Sequence, residues 1–375
     1  MIYADNAATT KLDLEAFTEM ETFLLDKFAN SSQQYSFAKY SKQALKEARK
    51  VIADCINAEP EEIYFTSGGS ESNNWALKKF GASGNDKIVY ASNIEHKSIL
   101  NIKDYNLDVN LLNVNKKGIV SKKDLIEKLK SNTTANTDLL VSIMVANNEI
   151  GCIEPIKELV NIVHSYGGIF HTDAVQAVGH IKIDVKDLGV DMLSASAHKF
   201  NGPKGIGFLY IKKGTLINSL IDGGSQEQGI RGGTENVAAI VAMAIALKNN
   251  INYLNENQKK LRNLHKIFID KLIEQDIDFI ENSNINGLPG LVNISIHNEN
   301  GEAILHRLDL KKIIISTGSA CDSVVNQISH VISAIKVPKK YASGTIRVSF
   351  GKYNTEDEAK KIADEIVKIV KNKNI

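Results

Sequence analysis

Cysteine is scarce in this chain of 375 residues: Cys55, Cys152 and Cys321 are far apart and odd in number. No CxxC pair occurs, so neither a disulfide framework nor a zinc site is expected, and no metal is assigned. An excess of charge of one sign is also lacking. Lys and Arg number 45 against 44 Asp and Glu, a formal balance of +1, which leaves no electrostatic footprint for direct nucleic-acid binding or an anionic membrane. Long apolar runs are missing as well. The longest, Val237 to Leu247, has eleven residues, too few to cross a bilayer, and reads as a buried helix. The opening MIYADNAATT has no charged region followed by an apolar one, so no signal peptide is expected and the cytoplasm is the expected location. Neither GxGxxG nor a Walker lysine motif is present, which disfavours dinucleotide and ATP sites.

What is present is an ordinary soluble composition, 43% hydrophobic and 24% charged. Apolar residues recur at helical spacing from Leu14 to Phe28 (Leu14, Phe17, Met20, Phe23, Leu24, Phe28) and again from Ser41 to Ile56, where Cys55 falls on the apolar face as a small hydrophobe. From EIYFTSGGSES onward, short β-like runs alternate with helical stretches: KIVYASNIEHKSIL, DLLVSIMVANNEIG, GGIFHTDA, DMLSASA, GIGFLYIKK. That alternation predicts an α/β fold built on a mostly parallel, doubly wound sheet. A charged helical stretch from Tyr253 to Gln275 separates it from a compact α+β remainder. The expected division is a large domain of residues 15–255 and a small one of residues 1–14 and 256–375.

The stretch His171–Lys199 organises the chemistry. Its two strands end in polar residues, Asp173 on the first and His198-Lys199 just past the second. In a parallel sheet, carboxyl strand ends face a common crevice. An amine and a carboxylate delivered there match pyridoxal 5'-phosphate (PLP): the amine forms a Schiff base, and the acid pairs with the protonated pyridine nitrogen. Alone, the pair reads equally as a helix cap and a surface lysine. TSGGSES, where a strand becomes a helix, offers the Gly69 and Ser70 amides and the Ser70 hydroxyl to a phosphate, although by itself it is an ordinary capped helix. Ser196 and His198 flank Lys199 and are placed to complete that cradle. Gln176, one helical turn past Asp173, is placed to reach the phenolic oxygen. His96 ends another strand and suits stacking and proton transfer; Asn148 ends a third. Each alone is a satisfied polar residue at a strand end; their shared position argues for one site. Cys321, in STGSACDS, is a candidate nucleophile among small residues, where a lone cysteine is otherwise an inert thiol. Cys152 is assigned to packing. Arg347, in TIRVSF, suits a substrate carboxylate, or else a surface ion pair.

Ten blocks, in order, resemble the NifS/IscS-type cysteine desulfurases, PLP enzymes of aminotransferase class V with fold type I. They are DNAATT, TSGGSES, EHKS, NNEIG, HTDAVQ, SASAHK, GPKGIGFLY, RGGTEN, STGSAC and TIRVSFG, spread over nearly the whole chain. The resemblance implies that Lys199 holds the cofactor covalently, Asp173 meets its pyridine nitrogen and His96 stacks on it. Gly69, Ser70, Ser196 and His198 surround the phosphate, with Asn148 and Gln176 near the phenolic oxygen. It implies a homodimer in which Thr234 reaches the neighbouring subunit's phosphate. It further implies L-cysteine as substrate, bound by Arg347, and Cys321 as carrier of a persulfide for an iron–sulfur scaffold or a tRNA-thiolation enzyme. A class V aminotransferase or a selenocysteine lyase is the alternative. The sequence departs from the family pattern at Ser31 and Tyr35, where proline and histidine are usual, and at Ser225 and Gln228, where glycine and arginine are usual. The long C-terminal tail of some members is not expected here.

Overall fold

The computed structural model describes residues 1–82, 86–102, 107, 109–132, 137–317 and 328–371. Its main sheet has seven strands: β2 (Ile63–Thr66), β3 (Asp86–Ser92), β4 (Val109–Leu112), β5 (Thr137–Ser142), β6 (Ile169–Asp173), β7 (Met192–Ser196) and β8 (Gly207–Ile211). They lie in the order β2-β8-β7-β6-β5-β3-β4. Neighbours from β4 to β7 are parallel. Helices cover both faces, so every residue of β7 and β8 is buried, and β8, GFLYI, reads as an apolar run rather than an alternating one. β8 runs antiparallel to both β7 and β2. The two reversals leave β2 running with β7. The carboxyl ends of β2, β3, β5, β6 and β7 therefore open on one edge.

The helix Ala38–Ile56 turns Leu45, Ala48, Ile52 and Ile56 inward, at the spacing expected of one helical face. The helix Val237–Asn252 is buried almost all round, as its composition predicts, and packs against the helices Ala38–Ile56 and Leu14–Leu25. The latter differs from expectation: it stops at Leu25, and its large apolar residues mostly face outward. Leu14 is 76% exposed and Phe28, beyond its end, 66%, while Ala16 and Phe23 are buried. The physical reason is close approach. Alanine-rich surfaces bring this helix near its neighbour, with Phe23 packed on Ala44, Ala238 and Val241, and the periodicity is satisfied by a narrower stripe than the sequence offers.

A second apolar core joins Leu264 and Phe268 of the helix Leu254–Glu274 to the helix Glu356–Lys371 and to a three-stranded antiparallel sheet of β9 (Phe279–Glu281), β10 (Leu291–Ile296) and β12 (Thr345–Ser349). Ile2 and Ala4 belong to this core, because β1 (Ile2–Tyr3) pairs in parallel with β11 (Ile313–Ile314). The chain start is thus packed with its far end.

The atypical glycine-rich loop has a clear structural task. Glu227, buried and at φ 46°, takes both Arg49 guanidinium nitrogens at 2.7 and 2.9 Å and the Phe65 amide at 2.8 Å. Gln228, at φ 58°, donates to the Glu61 carbonyl at 2.9 Å. These bonds pin β2, the strand that leads into Gly68-Gly69.

Gly207 lets β8 lie against that turn. A Cβ there would stand 2.4 Å from the Ala195 carbonyl oxygen and 2.8 Å from Gly68 Cα, both backbone atoms. Gly207→Ala is expected to lower the free energy of unfolding by about 1–3 kcal/mol, as overpacking does, and the urea midpoint measures it.

Candidate active site

The carboxyl strand ends enclose a cavity of about 330 Å³, at the small end of the range of ligand sites. Gly69, Ser70, His96, Asn148, Asp173, Gln176, Ser196, His198, Lys199 and Arg347 line it. Ten residues proposed from sequence are therefore brought to one place by six strands, β2, β3, β5, β6, β7 and β12, and their loops. Thr234 is exposed and does not line this cavity. Cys321 lies outside the described residues.

Asp173 closes β6 and is 5% exposed. Its carboxylate accepts from Asn73 Nδ2 at 2.7 Å and from the Val175 amide at 2.9 Å. Two residues earlier on the same face of β6, His171 is fully buried between Ser142 Oγ of β5 at 2.8 Å and Ser194 Oγ of β7 at 2.9 Å. Burial drives its imidazole down to about 3, so it is a neutral cross-strand pin that fixes the strand carrying Asp173.

Lys199 follows β7 in a short turn, Ala197–Lys199. Its ammonium donates to the Ala7 carbonyl at 2.6 Å and the Ala8 carbonyl at 2.9 Å. Gln176 Nε2 shares the Ala7 carbonyl at 2.9 Å. His198, two residues past Ser196, is pushed down to about 4 by burial first and by Lys199 and Lys204 second. It enters the cradle as a neutral imidazole. Opposite it, the helix Gly69–Lys79 begins, and the first N–H groups of a helix have no intrahelical partner. A Cβ on Gly69 would meet Val175 Cγ2 at 2.7 Å, so glycine keeps that turn open.

Arg347, on β12, is 4% exposed. It donates to the Asn148 carbonyl and to Asp5 Oδ1, both at 2.8 Å, and its Nε has no partner among the described residues. A buried guanidinium with an unused N–H, at the wall of a cavity, is equipped to bind an anionic group.

An amine, a carboxylate held by two N–H donors and an open helix N-terminus form the donor set that PLP needs at its aldehyde, its pyridine nitrogen and its phosphate. The residues present fit that group. Lys199, Asp173 and the Gly69-Ser70 turn with Ser196 and His198 would hold it.

Sequence reasoning missed Asp5, Ala7, Ala8, Asn73 and Ser98. Asn73 lies three residues past Ser70, one helical turn on, and was findable by spacing. The Ala7 and Ala8 carbonyls were not, because a backbone acceptor leaves no mark in composition.

The aminotransferase class V family model matches residues 2–362. A protein of Dictyoglomus turgidum named cysteine desulfurase IscS is 44% identical, over 98% of this chain and 94% of that one. A solved structure described as a NifS-like protein superposes with a TM-score of 0.89 at 33% identity, covering 99% of each chain. Another, described as SspA in complex with cysteine, superposes with a TM-score of 0.79 at 33% identity, over 95% of this chain and 100% of that one.

The Asp5–Arg347 pair is tested by deleting its less buried partner, Asp5. Asp5→Ala leaves a buried guanidinium short of its counter-charge and is expected to destabilise the fold by about 3–5 kcal/mol. Asp5→Asn, which keeps an oxygen acceptor, is expected to cost less, and urea denaturation separates the two.

Proposed function

We propose that the chain, which belongs to the aminotransferase class V family, is a PLP-dependent cysteine desulfurase: it converts L-cysteine to L-alanine and leaves the sulfur on Cys321 as a persulfide. The observation that carries this reading is the single cavity in which Lys199, Asp173 and Arg347 meet, in a chain similar over almost its whole length to named cysteine desulfurases.

Bound PLP supplies an electron sink that makes the substrate's α-hydrogen acidic and lets the carbon–sulfur bond yield. The rest falls to the chain's own residues. Arg347 holds the substrate carboxylate, with Asp5 and the Asn148 carbonyl fixing the plane of its guanidinium. With the cofactor bound, Lys199 would be the group that takes the α-hydrogen as a proton; its two carbonyl partners at the chain start hold the side chain near that position. Asp173 keeps its charge aimed at the ring nitrogen through Asn73 and the Val175 amide.

The Cys321 thiolate then attacks the substrate sulfur. The new sulfur–sulfur bond forms as the carbon–sulfur bond breaks, its electron pair staying with the β-carbon, which takes up a proton; Lys199 returns a proton to the α-carbon, and the product is alanine. The chain flanking Cys321 supports this role. On one side Ser316 exchanges backbone hydrogen bonds with Arg347 at 3.0 and 2.7 Å. On the other, Ser329 Oγ donates to Glu149 at 2.6 Å and His330 Nε2 lies 3.1 Å from the Glu95 carbonyl. Both flanks are thus tied to segments that line the cavity. The described thiols suit packing instead: burial raises that of Cys55 to about 11 and that of Cys152 further still.

The acceptor of the sulfur is an iron–sulfur scaffold or a tRNA-thiolation enzyme in this reading. The cytoplasm suits it, since a reducing compartment keeps the carrier thiol out of stable disulfides; cell fractionation checks the location. Cys321→Ala is expected to abolish persulfide and sulfide formation from L-cysteine while the protein keeps the yellow colour of bound PLP. Unchanged turnover in that variant would reject the desulfurase reading and favour a lyase or aminotransferase; the added sulfur found by mass spectrometry on Cys55 or Cys152 would overturn the assignment of Cys321 as its carrier.

A second copy of the chain completes the site. Leu14, Phe17, Leu24, Leu25 and Phe28 form an exposed apolar patch on one helix and its end, of the sort that marks an interface. Ser31, where relatives carry proline, donates to Glu235 at 2.9 Å, and so ties the loop beside this patch to the segment bearing exposed Thr234. Thr234 is proposed to reach the partner's cofactor phosphate. Light scattering is expected to give about twice the 41.2 kDa chain mass. A monomer at assay concentration that still retains PLP counts against this arrangement.

A further inference from the structure

Beside His96 runs a chain of hydrogen bonds whose directions are all forced. Asp173 Oδ2 is 2.7 Å from the Asn73 amide nitrogen. A carboxylate only accepts, so the Asn73 side chain must turn its NH₂ toward it; its oxygen there would face another oxygen. The same nitrogen is 2.9 Å from Ser98 Oγ, and an NH₂ only donates. Ser98 Oγ therefore accepts from Asn73 and keeps its own hydrogen for another partner. That partner is His96 Nδ1, at 2.8 Å. The Ser98 backbone N–H points at the same nitrogen from 3.1 Å, as the cap of the turn Lys97–Leu100. Nδ1 thus receives two donors and has no room for a hydrogen. The ring's single hydrogen sits on Nε2, on the side away from Ser98.

We propose that Ser98 is a positioning residue that fixes His96 as its Nε2–H tautomer, with the orientation dictated by Asp173 and relayed through Asn73. This rests on the reading of the cavity as the desulfurase site and adds a constraint to it. His96 meets the cavity with a hydrogen to give rather than a lone pair to offer. A second proton can enter only at Nδ1, which requires the Ser98 hydroxyl to turn away and the cap bond to break. Asn73 cannot pass a proton on, so the chain of bonds orients the ring without acting as a proton wire.

The groups facing His96 agree with a neutral ring. Burial lowers its proton affinity most; Asp173 from β6 opposes this, and Lys199, past β7, and Lys97, on the adjoining turn, reinforce it. Because the folded ring binds its second proton less readily than a free imidazole, the neutral form is kept as pH falls and is lost only below the usual imidazole range.

The test reads the proton directly. Histidine labelled with nitrogen-15 in the full chain, with and without PLP, reports by long-range nitrogen–proton correlation which ring nitrogen carries hydrogen. His96→Gln assigns the His96 signals. The wild-type ring is expected to hold its hydrogen on Nε2 at neutral pH. In Ser98→Ala the second protonation is expected to move up by roughly half to one pH unit, the worth of one neutral hydrogen bond, and the acid limb of the kcat/KM profile moves with it. Ser98→Thr, which keeps the hydroxyl, is expected to titrate as wild type. A uniform loss of activity at all pH values, with unchanged titration, would mean a merely structural serine and overturn the proposal, as would a hydrogen found on Nδ1 in the wild type. If the tautomer is as stated but the loaded wild type forms no alanine from L-cysteine, the functional reading fails and the proton placement stands.

Discussion

Residues 4–10 are the tie on which the cavity depends. They run between the two apolar cores and bond to both. On one side the Asn6 amide and its side-chain nitrogen reach the Ser349 carbonyl at 3.1 and 2.9 Å, the Ala7 amide reaches Ser349 Oγ at 2.9 Å, and Asp5 pairs with Arg347. On the other, Thr10 bonds the His198 carbonyl at 2.8 Å through its hydroxyl, and the Ala7 and Ala8 carbonyls hold Lys199. One short segment, with a turn at residues 6–8, therefore sets the separation between Arg347, on β12, and Lys199, past β7. Those two groups come from different sheets, and nothing else described joins them so directly.

Within the main sheet, position is set by strands and orientation by neutral polar groups. His171 pins β5, β6 and β7 without charge. Asn73 and Ser98 aim Asp173 and His96. Buried polar groups cost stability unless every bond is made, so such networks rigidify what they touch. A site that must hold an ionic cofactor gains from this, because its carboxylate and amine keep their places before anything binds. Among the described residues that line the cavity, Asn73 Oδ1 and Arg347 Nε are buried without a partner and mark where that saturation stops.

The departures from the family pattern fall away from this centre. Ser31 makes a side-chain bond that the proline usual there cannot make. Gln228 adopts a left-handed backbone and bonds to Glu61, while its neighbour Glu227 clamps Arg49 and Phe65. In each case a polar side chain takes over the fixing of a loop, and the strand end or segment that the loop supports stays in place.

Much of the fold and site was legible in the sequence. The alternation of β-like runs with helices gave the α/β sheet, and polar residues at strand ends gave Asp173, Lys199, His96 and Asn148, since a strand's direction decides where its last residue points. The period of two or of 3.6 residues is local, so it could be read locally. Three things could not. The placement of β8 against both β7 and β2 is a long-range pairing, and it is what turns the Gly69-Ser70 turn toward Lys199. The outward face of Leu14, Phe17 and Leu24 was invisible because small residues won the helix contact through closer approach. The Ala7 and Ala8 carbonyls and the Asn73–Ser98–His96 bonds exist only once distant segments meet. Sequence determined which groups the site contains, through chemistry each side chain carries with it; tertiary structure decided how they face one another, because direction and proton placement belong to pairs of atoms and not to residues.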